Sequence, residues 1–244
     1  MNLIFKMADA ARVMLQSGKG LGGLLRNGAS VASTQIMHNC GHYISQLNTI
    51  IDVGANKGQF ALAAAYKFPH AKVLSFEPLP DAYKSLQQNT RKSARISAFN
   101  YALGSNDGQL AFYSNEYSHA SSALQVSETL IALEPGTANA VLTQVPVKRL
   151  DTVLQQLPVN GPVLLKMDVQ GFEKEVLSGA GNSLQQIDYL LFETSFVPLY
   201  KGEPLFDEMH HFVKSLGFEF IAPVGFLQSG KLQILQMDLL YKKR

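Results

Sequence analysis

From residue 48 onward, short β-rich apolar runs alternate with segments of helical periodicity, and few architectures accept that order. "TIIDV" reads as a buried strand, followed by a helix over 58–67. "KVLSFE" is a second strand, with a helix over 81–92, and "ISAFNYAL" is a third. "SNDGQLAFYSN" turns at Asn106-Asp107-Gly108 and then extends, and "QVPVKRL" is also extended ahead of a short helix over 151–156. "PVLLKMDV" and "DYLLFET" are strands, each trailed by a helix, over 172–178 and 206–216. "FEFIAPV" and "LQILQMDLLY" close the chain as strands. Such alternation predicts an α/β domain: a mostly parallel sheet with helices on both faces. The last two strands have no helix between them, so at least one should pair antiparallel.

In an open α/β sheet, ligands bind beyond the carboxyl ends of the strands, where strand order reverses. The first strand-to-helix turn is Asp52-Val53-Gly54-Ala55-Asn56-Lys57-Gly58. Its glycines allow positive φ and close approach of a ligand to the backbone. A dinucleotide site would present G-x-G-x-x-G, with amides aimed at a pyrophosphate. Here the pattern is G-x-N-x-G, with an acid two residues before the first glycine. That acid repels a pyrophosphate and can orient an ammonium group. The second strand ends in Glu77, 25 residues after Asp52, placed to bind a ribose diol. A diol acceptor suits NAD and S-adenosylmethionine equally. The turn's acid favours S-adenosylmethionine, with an NAD-dependent oxidoreductase as the alternative.

"IDVGANKGQFALAA", "SFEPLP", "NYALGSNDG", "VPVKRLDTVL", "LLKMDVQGFEKEVLSGA" and "LLFETSFVPLYKGEP" together resemble, in this order, the FkbM-type methyltransferases. The likeness runs from about residue 50 to 217, and "KMDVQGFEKEVLSGA" is its most specific part. The resemblance implies a class I methyltransferase (Rossmann-like) fold with a seven-stranded sheet. It also implies S-adenosylmethionine as cofactor and methylation of hydroxyl groups on sugars, polyketides and similar metabolites. Carried across, it puts Asp52, Gly54, Ala55, Asn56 and Gly58 around the methionine end and Glu77 on the ribose. Asn100, Ala102 and Leu103 would flank the adenine. The family usually carries an acid where this chain has Gln170, so whatever that acid does is not transferred, and a non-catalytic cofactor-binding protein stays open.

Methyl transfer to a hydroxyl requires alignment of the acceptor oxygen with the methyl and removal of its proton. Candidate bases lie at carboxyl ends of central strands. Asp168 ends "VLLKMD" and Glu193 ends "YLLFE", on strands that are neighbours in the class I fold, so both should face the crevice. Asp168 also borders the cofactor. Lys166 is two residues earlier and shares Asp168's side of the strand, where burial demands an ionic partner. His119, in "NEYSHASSALQ", is the third candidate, because histidine titrates near neutrality and its segment should cross the same sheet edge. Glu173 and Glu175 read as structural. His38 and His42 have metal-ligand spacing without a third ligand, so no metal site is assigned to them. Some class I O-methyltransferases use Mg²⁺ to orient a substrate diol, and Asp168 and Glu193 could supply its carboxylates, but the sequence shows no dedicated cluster and the need for a metal stays open.

Composition bounds the rest. The chain has 244 residues, 46% apolar and 16% charged, in the range of one globular domain with an appendage. A net charge of +2 gives no electrostatic reason for a nucleic-acid partner. No Asn/Asp-Pro-Pro-aromatic run suited to a flipped base is present either. The expected partner is a small-molecule or glycan acceptor, and self-association is left open. Residues 1–46 form an expected helical cap or lid, set apart from a methyltransferase domain over 47–244. This cap holds Lys6, Arg12, Lys19 and Arg26 against Asp9 alone. The start lacks a signal-peptide core, no run approaches the ~18 apolar residues of a membrane span, and one cysteine precludes an intrachain disulfide, so the cytoplasm is the default location.

Overall fold

The computed structural model describes residues 28–230 and 232–244. Most of the expected N-terminal cap, residues 1–27, lies outside them. Described helices are α1 (Val31–Cys40), α2 (Gln59–Lys67), α3 (Pro80–Thr90), α4 (Glu128–Leu133), α5 (Leu150–Leu154), α6 (Glu173–Ser178) and α7 (Phe206–Ser215). The strands are β1 (Thr49–Val53), β2 (Lys72–Phe76), β3 (Ile96–Phe99), β4 (Ala102–Leu103), β5 (Gly108–Asn115), β6 (Ala140–Lys148), β7 (Val163–Met167), β8 (Tyr189–Ser195), β9 (Phe218–Gln228) and β10 (Ile234–Lys243).

Seven strands form one sheet in the order β3-β2-β1-β7-β8-β10-β9. Pairings from β3 through β8 are all parallel, and β10 runs antiparallel to both β8 and β9. The short β9–β10 connection leaves no room for a crossover, so antiparallel pairing is forced. Strand order reverses between β1 and β7, which places a switch point at their carboxyl ends.

Alternation along the central strands sends side chains to two apolar layers. Ile51, Val53, Leu165 and Met167 enter the layer that includes Val176 of α6 and Val213 of α7. Ile50, Val73, Leu164 and Leu191 enter the opposite layer, with Phe60, Ala61 and Ala64 of α2. Met37 and Cys40 of α1 are buried in that second layer, and Asn39 donates from α1 to the Val224 carbonyl of β9 at 2.8 Å. Among the described residues, no helix is long and apolar enough to cross a membrane.

Two features differ from the sequence-based expectation. The single strand expected over 96–103 is two strands in two sheets. The Asn100 side-chain amide donates to the Glu77 and Pro78 carbonyls, at 2.9 and 3.0 Å, and the chain bends there. Beyond the bend, β4 pairs parallel with β6, and β6 pairs antiparallel with β5 along its length, giving a separate three-stranded sheet. The second difference is α4, whose six residues are capped by Ser127 accepting from the Leu130 amide at 3.2 Å. One and a half turns cannot display a readable period.

Candidate active site

A cleft opens at the carboxyl ends of β1, β2 and β7. Its floor is the β1–α2 turn, where Gly54, Asn56 and Gly58 have φ of 75°, 46° and 88°. Gly54 admits no side chain: a Cβ there would stand 2.0 Å from the Asp168 carbonyl oxygen. Glycine thus lets β1 and β7 close on each other beneath the cleft. Gly58 serves packing instead, since a Cβ would press on Leu86 of α3 at 2.8 Å.

Glu77 follows β2 and is 6% exposed. One carboxylate oxygen accepts from the Asn56 amide at 2.8 Å and the other from the Leu79 amide at 2.9 Å. These bonds favour the ionised form, yet burial outweighs them and pushes the carboxyl up to about 7. Each oxygen keeps a lone pair for a hydroxyl donor. Ala102 and Leu103 line the cleft beside Glu77, and Leu110 and Phe112 of β5 close it from the second sheet. Asn100 supports this wall from behind through its bonds to the Glu77 and Pro78 carbonyls.

Asp52 lies elsewhere than expected. It is fully buried, and its oxygens accept from Lys166 Nζ at 3.0 Å and from the Ser75 hydroxyl at 3.2 Å. It belongs to the structure under the floor and lines no part of the cleft. Ala55 is buried too, held by its amide on the Phe76 carbonyl at 3.0 Å. Lys166 connects the two levels, reaching the Gly54 carbonyl at 3.4 Å and Asp168 at 3.6 Å. Burial alone would lower the ammonium's pKa, but the Asp52 and Asp168 carboxylates together hold it above its ordinary value.

Asp168 faces the cleft with its side chain 44% exposed. One of its oxygens accepts from the Gln170 side-chain amide at 2.7 Å. That same nitrogen donates to Glu193 at 3.2 Å, and Glu193 also accepts from Gln236 at 2.7 Å. The Tyr200 hydroxyl donates to the Gln170 side-chain oxygen, Oε1, at 2.9 Å. Glu193 is therefore joined to the cleft through Gln170 and does not line it as expected, because the Gln170 side chain stands between. Burial first, then the nearby Asp168, Asp238 and Glu173 carboxylates, drive the Glu193 pKa well above its ordinary value. Asp238 lies directly across from Glu193 in the β8–β10 register, and its carboxyl is pushed up to about 7, chiefly by burial.

His119 does reach the cleft, from a single 3₁₀ turn over Ser118–Ala120 at its rim. Its side chain is 63% exposed and stands 3.8 Å from Glu134. Ser122 fastens this rim to the floor by donating to the Gln170 carbonyl at 2.8 Å. Sequence reasoning singled out neither Tyr200 nor Gln236 nor Asp238. Their roles arise from contacts between strands distant in the chain, and only Gln170's departure from the family pattern marked the place. Among the described residues, no three His, Cys, Asp or Glu side chains are grouped so as to hold a metal ion.

The family model described as the methyltransferase FkbM domain matches residues 52–220. "Methyltransferase 1" of Beauveria bassiana is 31% identical over 142 residues, 53% of this chain and 57% of that one. "Hexuronic acid methyltransferase AglP" of Haloferax volcanii is 27% identical over 143 residues, covering 58% and 54%. "2-O-methyltransferase NoeI" of Sinorhizobium fredii is 26% identical over 161 residues, covering 63% and 66%. The chain thus spans little more than half the length of the first two and just under two thirds of the third. The solved structure of EvdMO1 superposes with a TM-score of 0.50 at 9% identity, over 88% of this chain and 42% of that one, a likeness of fold alone. With a switch-point cleft, a buried carboxylate just after β2 and the family match over residues 52–220, the chain belongs to the FkbM methyltransferase family, whose methyl donor is S-adenosylmethionine.

Proposed function

We propose that this chain transfers a methyl group to a hydroxyl of a sugar, glycan or related small metabolite, with Asp168 as the proton acceptor. The observation that carries the reading is the half-exposed Asp168 carboxylate, which enters the same cleft as Glu77 from the neighbouring side of the switch point. The cleft suits the cofactor chemically. Glu77 offers two acceptor oxygens to a ribose diol, and Leu103 and Phe112 offer apolar surface to a base. Asn56, on the floor, has a buried side-chain oxygen without a partner, the sort of group an amino-acid tail would satisfy.

S-adenosylmethionine, when bound, supplies an electrophilic methyl on a good leaving group. What the chain must add is alignment and a destination for the acceptor's proton. Asp168 meets the second need with its half-exposed carboxylate, one oxygen of which accepts from Gln170 while the other lies 3.6 Å from Lys166, contacts that fix its orientation. His119 at the rim is placed to touch the acceptor, and Glu193 supports Asp168 through Gln170. By analogy, a relative named a 2-O-methyltransferase supports an oxygen acceptor and one named a hexuronic acid methyltransferase supports a sugar acceptor. The test is release of S-adenosylhomocysteine against a panel of uronic acids, glycans and hydroxylated metabolites. Turnover with a hydroxylated acceptor is expected. Transfer only to nitrogen or carbon acceptors would overturn the reading.

A further inference from the structure

Gln170 sits in the β7–α6 turn with φ of 57°, a region non-glycine residues enter at a cost. Its side chain is fixed at both ends. The Tyr200 hydroxyl, on a residue 2% exposed, occupies the carbonyl oxygen, so the amide nitrogen must point the other way. There it donates one hydrogen to Asp168 at 2.7 Å and the other to Glu193 at 3.2 Å. Two carboxylates on adjacent parallel strands are thereby bridged by a single donor. Acidic groups crowd Glu193: Asp238 faces it from β10, and Asp168 and Glu173 also act on it electrostatically. The nearest cation, Lys166, reaches Asp168 and is shared with Asp52.

Bridging one oxygen from each of two carboxylates is also the coordination a hard divalent cation takes. We propose that Gln170 is a positioning residue that replaces such a cation, clamping Asp168 to Glu193 and closing the pair to metal while leaving Asp168 free to face the cleft. The inference rests on the reading of Asp168 as the group that receives the acceptor's proton. It assigns Gln170 no contact with the reacting atoms. Removing the amide should release Asp168 from its orientation and at the same time open the two carboxylates to a metal ion.

Full-length protein, Gln170→Glu and Gln170→Ala are titrated with Mn²⁺, the free ion being followed by electron paramagnetic resonance. Both variants should bind Mn²⁺ at least about tenfold more tightly than the parent, Gln170→Glu most of all because it adds a third carboxylate. Turnover of Gln170→Ala should fall by about tenfold or more, with the dissociation constant for S-adenosylmethionine unchanged. Tyr200→Phe, which frees the amide to turn, should lower turnover in the same direction. Equal Mn²⁺ affinities in the parent and the variants would overturn the proposal, as would full turnover in Gln170→Ala. If no hydroxylated acceptor is ever methylated, the proposed reaction fails, and the Mn²⁺ titration still decides whether Gln170 closes the pair. Should Gln170→Glu fail to fold, Gln170→Ala against the parent settles the same question.

Discussion

Lys166 and Asp52 form an ion pair of 3.0 Å beneath the cleft, in register on adjacent parallel strands and almost wholly shielded from water. The ring of Phe60 lies 4.9 Å from the ammonium, so the pair is enclosed by α2 as well. An acid in the first strand–helix turn suggests a ligand's ammonium partner. Here the partner is the protein's own lysine, and the acid's work is to hold that lysine under Gly54 and Asp168.

Breaking one side of this pair leaves the other buried and uncompensated. Lys166→Met should destabilise the fold by about 3–5 kcal/mol. Lys166→Met combined with Asp52→Asn should recover part of that loss, because no naked charge remains. Urea unfolding of the two variants and the parent checks it. Additive losses in the double variant would show that the two residues do not act as a pair.

If Glu77 takes the ribose diol as proposed, it links cofactor affinity to pH. Burial raises its carboxyl to about 7, and Asp52 and Lys166 beneath it act in opposite directions. Ribose hydroxyls donate to the ionised form, so binding favours deprotonation. Affinity for S-adenosylmethionine should therefore rise as pH is taken from 6 to 8, by up to about tenfold per unit below the carboxyl's pKa. Glu77→Gln should bind more weakly and with a flatter profile. Calorimetric titrations across this range decide the matter, and a parent profile matching that of Glu77→Gln would remove Glu77 from the diol site.

The same buried acids set the pH dependence of stability without cofactor. Folding raises Glu77 to about 7, Asp238 to about 7 and Glu173 to about 8, and it raises Glu193 as well. In the unfolded chain, carboxyls titrate near ~4. The folded state thus holds more protons than the unfolded one across this interval. Its added stability is complete below the unfolded values and is lost as pH rises through 7 and 8. His38 and His210, whose pKa values folding lowers, titrate below about 6.5 and oppose the trend only there. The denaturation midpoint should consequently fall between pH 6.5 and 8. A rising midpoint over that interval would contradict the assignment.

Much of the frame was legible because it is local. The run from Thr49 to Val53 into Gly54 and Gly58 encodes strand, turn and helix within a few residues, and the structure follows it. Lys166 and Asp168 share a side by simple alternation, and they stand 3.6 Å apart. What stayed hidden depends on partners far along the chain. The bend at Asn100 is made by carbonyls of Glu77 and Pro78, so the second sheet could not be read from 96–103 alone. Glu193 does not end its strand as expected, since β8 runs on to Ser195, and the Gln170 side chain crosses in front of it, held by Tyr200 thirty residues away.

Gly54 gives a sharp steric test of the floor. Gly54→Ala would set a methyl 2.0 Å from the Asp168 carbonyl oxygen, at a backbone φ of 75°. Neither atom is at the end of a flexible side chain, so β1 and β7 must part. Cofactor binding should be lost, together with at least about 2 kcal/mol of stability. Calorimetry and urea unfolding measure the two effects. Wild-type affinity in this variant would mean that the cleft does not depend on the close β1–β7 approach.

The decisive substitution concerns Asp168. If its cleft-facing carboxylate receives the acceptor's proton, Asp168→Asn should lower turnover by about 10²–10⁴-fold. The amide keeps the side chain's shape and leaves Glu77 and Asn56, the proposed cofactor contacts, untouched, so the dissociation constant for S-adenosylmethionine should change little. His119 provides the contrast. At the exposed rim, opposite Glu134, its replacement by Ala should alter the acceptor's Michaelis constant more than turnover, because it can touch an acceptor without taking its proton. Steady-state kinetics on a productive acceptor, paired with cofactor titration, separates the two residues. A variant Asp168→Asn with parental turnover would show that alignment alone carries the rate and that water removes the proton. Loss of turnover in His119→Ala on the scale expected for Asp168 would move the base from the floor of the cleft to its rim.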